Sequence, residues 1–103
     1  MSPARVSKRA QRDLERIRDY IAADDPEAAE RVWLAILGII DLLAQNRELG
    51  RPILRAGPRH VGVRWLVVPR FRNYLVFYRP VGDTIFVLRV LHAAQDWTRF
   101  FQP

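Results

Sequence analysis

Near residue 46 the hydrophobic pattern of this chain changes period, and that change restricts the fold more than any other feature. Between Ser7 and Gln45 apolar residues return every three or four positions; from Val61 to His92 they fall in short runs of β-branched and aromatic residues. Helices come first and strands follow. Ser7 is placed to cap a helix through "KRAQRDLERIRDYIAA", where Ala10, Leu14, Ile17 and Ile21 form one apolar stripe opposite a charged face. "ADDPEAAERVWLAILGIIDLLAQN" restarts the pattern, with Asp24 or Asp25 as cap, Pro26 in the first turn, and acidic residues where the helix dipole favours them. Val32, Ile36, Ile39, Ile40 and Leu43 give this helix a wide apolar face. It is apolar over more than half its circumference, so it either lies deep in the core or offers a surplus face, with Trp33 and Leu37 the residues to watch.

"RELGRPILRAGPRH" carries Gly50, Pro52, Gly57 and Pro58 and reads as a loop. "VGVRWLVV", "NYLVFYR" and "TIFVLRVLH" then form three strands, joined by "PRFR" and "PVGD", which are short enough for antiparallel hairpins. A short strand at "ARVS" is compatible with the pattern, and "AAQDWTRFFQP" reads as one helical turn or an edge strand. The expected fold is a single α+β domain over residues 1–103: an N-terminal helical hairpin packed on a mainly antiparallel sheet with a C-terminal meander. The sheet face away from the helices should be partly bare.

Alternation puts Tyr74, Val76 and Tyr78 on one face and Leu75, Phe77 and Arg79 on the other; it sets Thr84, Phe86, Leu88 and Val90 against Ile85, Val87, Arg89 and Leu91. Arg79 and Arg89 thus sit among apolar residues, where an unpaired guanidinium is costly. Either they bond to carboxylates or carbonyls, or they line an open face.

The chemistry on offer is narrow. Without cysteine there is no disulfide, thiolate site or thiol nucleophile, and His60 and His92 lack metal-ligand spacing. Ser2 and Ser7 are the only serines, both at the N-terminal edge, and no phosphate-binding glycine loop occurs. Neither a metal nor a cofactor is expected. No apolar run is long enough for a signal peptide core or a bilayer span, which points to the cytoplasm and away from membranes. Residues 1–50 carry 8 basic and 9 acidic groups and residues 51–103 carry 9 and 2, or −1 against +7. Sixteen of the 17 cations are arginine, so a carboxylate- or phosphate-bearing partner is expected. RNA cleavage by general acid–base chemistry would draw on Arg64, Arg79, Arg89 and His92. On a continuous strand, however, Arg89 and His92 face opposite sides.

"RDLERIRDYIA", "DPEAAERV", "LGRP", "GVRWLVVPRFRNYLVFYRP" and "DTIFVLRVLHAAQD", in this order and spacing, resemble the ParE/RelE toxin superfamily, and its ParE-like branch most closely. The resemblance covers nearly the whole chain. It implies the toxin of a type II toxin–antitoxin system, neutralised by an acidic, partly disordered antitoxin that also links the complex to operator DNA. An antitoxin helix is expected along the hairpin near Trp33, and an extended segment at the sheet edge or in a basic groove of Arg59, Arg64, Arg79 and Arg89. ParE-like members imply DNA gyrase as target. RelE-like members imply the alternative, ribosome-dependent mRNA cleavage, for which Arg64, Arg89 and His92 would be the working groups. "AAQDWTRFFQP" lacks the tyrosine usual in the nuclease branch, the sheet half lacks lysine, and Gln95 stands where ParE-like chains often carry arginine.

Overall fold

Each boundary in the fold follows from a cap or a turn. In the computed structural model, which describes residues 3–54 and 56–101, a short strand β1 (Arg5–Val6) leads into helix α1 (Lys8–Ala22). Ser7 stays extended, and its hydroxyl accepts the Ala10 N–H at 3.0 Å, satisfying a donor that the first turn leaves free. Asp25 does the same for Ala28 at the start of α2 (Pro26–Gln45), with Pro26 at its first position. The chain then forms β2 (Arg51–Pro52), a 3₁₀ turn at Pro58–His60, β3 (Arg64–Val67), β4 (Tyr74–Val81), β5 (Thr84–His92) and a second 3₁₀ turn at Trp97–Phe100.

The strands order as β1-β5-β4-β3-β2, with β1 parallel to β5 and the remaining pairs antiparallel. Gly82 (φ +56°) and Asp83 make the two-residue turn that joins β4 to β5, a conformation glycine takes without strain. The helical hairpin covers one face. Leu14 from α1, Ile36 and Leu43 from α2, Tyr78 from β4, and Ile85 and Val87 from β5 form its buried core.

Three expectations change. "RELGRP" is not wholly loop, because Arg51 and Pro52 pair with Trp65 and Arg64 as a two-residue edge strand. Proline suits that edge, where no ladder donor is needed on its outer side.

The face away from the helices is not bare. Val63, Leu75, Phe77, Leu91 and Phe101 are buried there in a second cluster, with Trp65 and Trp97 packed against it. Phe77 stands 5.3 Å from Trp97 and 4.8 Å from Phe101, ring centre to ring centre, so the aromatic residues of "WTRFF" close over the sheet.

The β5 alternation also breaks. Phe77 pairs with Arg89 while Tyr78 pairs with Val87, which leaves Leu88 as the extra residue of a bulge. Val90 consequently joins Ile85 and Val87 in the helix-side core instead of opposing them.

Candidate functional site

The arginines expected in a basic groove sort into different environments, and Arg89 is the most constrained. Beyond β1 the outer edge of β5 has no strand partner, and the start of α1 covers it instead. Ser7 donates from its N–H to the Val87 carbonyl and from its hydroxyl to the Leu88 carbonyl, both at 2.9 Å. Asp13, only 5% exposed, accepts the Val90 N–H at 3.0 Å and binds Arg89 in a fork, Nε at 2.8 Å and Nη2 at 3.0 Å. The guanidinium also lies 4.6 Å above the Phe100 ring. Its charge is neutralised and three of its neighbours are fixed, so Arg89 holds the fold's edge together.

Arg64 has a similar structural commitment elsewhere. Its Nη1 donates to the carbonyls of Gly50 (2.7 Å) and Glu48 (3.2 Å), while the Tyr78 hydroxyl donates to the Arg47 carbonyl and accepts the Gly50 N–H, both at 2.8 Å. A Cβ on Gly50 would come within 2.7 Å of the Tyr78 ring, so glycine is required for the loop to approach. Burial raises the Tyr78 phenol above its ordinary range, with the Gly50 N–H and Arg64 opposing that shift. This network ties the loop after α2 to the sheet.

Arg79 and Arg59 do meet, because Arg79 Nη2 donates to the Arg59 carbonyl at 2.6 Å. His60 joins them. Its ring stands edge-on to Phe101 at 5.0 Å, and burial, then Arg79, then Arg59 hold its pKa below the ordinary histidine range. Among the described residues, His60 Nδ1 and Arg79 Nε are the buried side-chain polar atoms without a partner. Nothing in the spacing of "GPRH" announces this cluster; the 3₁₀ turn that carries it onto the sheet is what creates it.

His92 lies on the other side of the sheet from Arg89. It pairs with Tyr74, its ring meets Tyr74 edge-on at 5.4 Å, and its Nδ1 accepts the Ala94 N–H at 3.0 Å. With Asp13, Arg16, Tyr20, Tyr74 and Val90 it lines a cavity of about 240 Å³. Burial, and secondarily Tyr20, raise the Tyr74 phenol above its usual range. The structure therefore disperses Arg64, Arg89 and His92 over three environments. On the hairpin, Trp33 is half-buried under the Arg18 guanidinium (4.6 Å) and Leu37 is half-buried; Leu34 is the more open, at 58% exposed.

Sequence reasoning passed over Asp13 as a functional group, although its signal is visible. A carboxylate at position 13 shares the helix face of Ala10, Leu14 and Ile17, where only a paired charge is tolerated. Among the described residues there is no cluster of three or more side chains that would hold a metal, and no helix long and apolar enough to cross a membrane.

Residues 4–97 match the model of the family described as ParE toxin of type II toxin–antitoxin system, parDE. The chain belongs to that family. It is 38% identical to toxin Y4kP of Sinorhizobium fredii over 93 residues, 90% of each chain, and 36% identical to toxin RelE2 of Caulobacter vibrioides over 84% of this ParE-family chain and 90% of the relative. A solved chain from the chromosomal ParDE system of P. aeruginosa superposes with a TM-score of 0.72 at 27% identity, covering 89% of this chain and 96% of that one. The fold and the membership in a type II toxin family agree with the expectation from sequence. The names of the relatives divide between ParE and RelE, the two branches whose expected targets differ.

Proposed function

We propose that this ParE-family toxin inhibits DNA gyrase as a protein ligand, without a catalytic step of its own, and is held inactive in the cytoplasm by a cognate antitoxin. One observation carries the non-catalytic half. The groups a nuclease would need are occupied or separated: Arg89 by Asp13, Arg64 by two backbone carbonyls, and His92 on the opposite face. Over the middle of the outer sheet face, aromatic rings stand where cations would have to gather to stabilise a phosphorane. Gyrase as target is supported by the ParE family match.

The test is direct. Purified toxin at saturating concentration is expected to abolish supercoiling by gyrase in vitro and to leave A-site mRNA intact on ribosomes read by primer extension. Intact supercoiling together with A-site cleavage lost in His92→Ala would replace this reading with ribosome-dependent endoribonuclease activity.

A further inference from the structure

We propose that the seam between α1 and the outer edge of β5 is a docking groove for an acidic peptide segment of the antitoxin, anchored by apolar side chains in two sockets flanking the Asp13–Arg89 pair. This rests on the toxin–antitoxin reading and adds to it a site and a mode of binding. Residues 9, 13, 16 and 20 of α1 fall at spacings of four, three and four, so they share one face along the seam, about 16 Å from end to end. Asp13 turns inward to Arg89. Arg9, Arg16 and Tyr20 remain exposed, Tyr20 at 80%.

A cavity lies on each side of the Asp13–Arg89 pair. One, about 150 Å³, is walled by Leu88, Phe100, Phe101 and His60, with Arg9 at its rim. The other, about 240 Å³, is floored by Ile17, Val90 and the Tyr74 ring, with Arg16 and Tyr20 at its mouth. An apolar cavity of about 150 Å³ holds a benzene-sized group, so each socket accepts one large apolar side chain.

Charge chooses the occupant. Asp13 is the sole carboxylate lining either cavity, and Arg89 neutralises it; among the described residues neither Arg9 nor Arg16 has an acidic partner. A segment with carboxylates at the arginines and apolar side chains in the sockets satisfies both. A nucleic-acid backbone would meet the arginines and leave the apolar sockets empty.

The docking mode is also set by the backbone. Ser7 and Asp13 already satisfy Val87, Leu88 and Val90 on this edge, and the Gln95 side chain accepts the His92 N–H at 2.8 Å. Strand addition is blocked here, and the segment must bind through side chains.

The experiment uses the full-length toxin and the product of the reading frame adjacent to its gene, titrated at physiological ionic strength. Arg9→Glu with Arg16→Glu is expected to weaken the complex tenfold or more, Tyr20→Ala to weaken it several-fold, and Arg31→Glu, outside the seam, to leave it unchanged. Both reversed positions are exposed, so thermal melting should show an intact fold. Amide exchange on the wild-type complex supplies the second measurement, with slowing expected across residues 9–20 and 90–95.

Unchanged affinity in the double reversal, with no slowing at the seam, overturns the groove and leaves the toxin reading standing. Retained antitoxin binding with a tenfold loss of affinity for single-stranded RNA overturns it in favour of a nucleic-acid site. Failure of the wild-type toxin to bind the adjacent product removes the toxin–antitoxin reading and the groove together.

Discussion

The two faces of the sheet are buried by different means. Toward the helices, aliphatic side chains from periodic elements interlock: Ile36 and Leu43 of α2 against Val76, Ile85 and Val87. On the outer face, the burial comes from aromatic residues on short irregular segments, Trp97 and Phe101 from the C-terminal turn and Ile53 from the loop after β2. A helix that packs along its length is fixed by many contacts at once, whereas a terminal turn can detach by itself. The difference suggests a rigid inner layer and a cover of lower local stability. Arg89 spans the two, its guanidinium lying between Asp13 of α1 and Phe100 of the cover.

Removing that link gives the largest expected effect. Asp13→Ala leaves the Arg89 charge and the Val90 N–H without their partner in a buried setting, which should cost about 3–5 kcal/mol. Urea denaturation checks the magnitude. Asp13→Asn offers the Val90 N–H an acceptor again but removes the charge, so it should fall between wild type and alanine. If the alanine variant loses under 1 kcal/mol by the surface-pair standard, Arg89 is solvated and the two faces are not joined through it.

A matched pair of truncations sharpens the contrast. Ile36 and Phe101 are both almost fully buried, at 0% and 3% exposure, on opposite faces. Ile36→Ala should cost about 2–5 kcal/mol, because the inner core relaxes little around the cavity. Phe101→Ala removes a larger side chain yet should cost less, about 2 kcal/mol, because the C-terminal turn can move to collapse the space. Amide exchange separates them further: the first should speed exchange globally, the second mainly around Pro58–His60 and Trp97–Phe100. Equal cost and equally global exchange would mean that the outer cover is as cooperative as the helical layer.

The same difference explains what was legible in the sequence. Ser7, Asp25 and Pro26 mark helix starts through local hydrogen bonding, and the 3.6-residue and two-residue periods place the inner core correctly. The bulge at Leu88 was not legible, because it depends on how β5 fits its partner and on Ser7 and Asp13 holding its outer edge. The covering of the outer face was missed because "WTRFF" has too short a pattern to declare a period, although three large aromatic rings in five residues are seldom left in water. For the site, Arg79 and Arg89 were rightly suspected of needing partners. Which partner each took, a carbonyl or a carboxylate, depended on contacts 20 and 76 residues away in sequence.

His60 offers the smallest expected effect and the most selective probe of the outer cover. Its pKa lies below the ordinary histidine range in the folded protein, through burial first and then Arg79 and Arg59, so folding favours the neutral ring. Above the unfolded pKa the ring is neutral in both states and the stability is fully present. As pH falls through the ordinary histidine range, the unfolded chain takes up a proton that the folded chain resists, and stability falls; the loss levels off once pH passes below the folded value. Urea midpoints measured from about pH 8 to about pH 5 should therefore decline, and part of that decline should vanish in His60→Gln, which keeps every other titrating group. Because the protonated ring would stand beside two arginines on the outer face, exchange at Trp97–Phe100 should rise before exchange in α2 does. An identical pH slope in the glutamine variant would show that His60 titrates as in the unfolded chain and that the cover opens for some other reason.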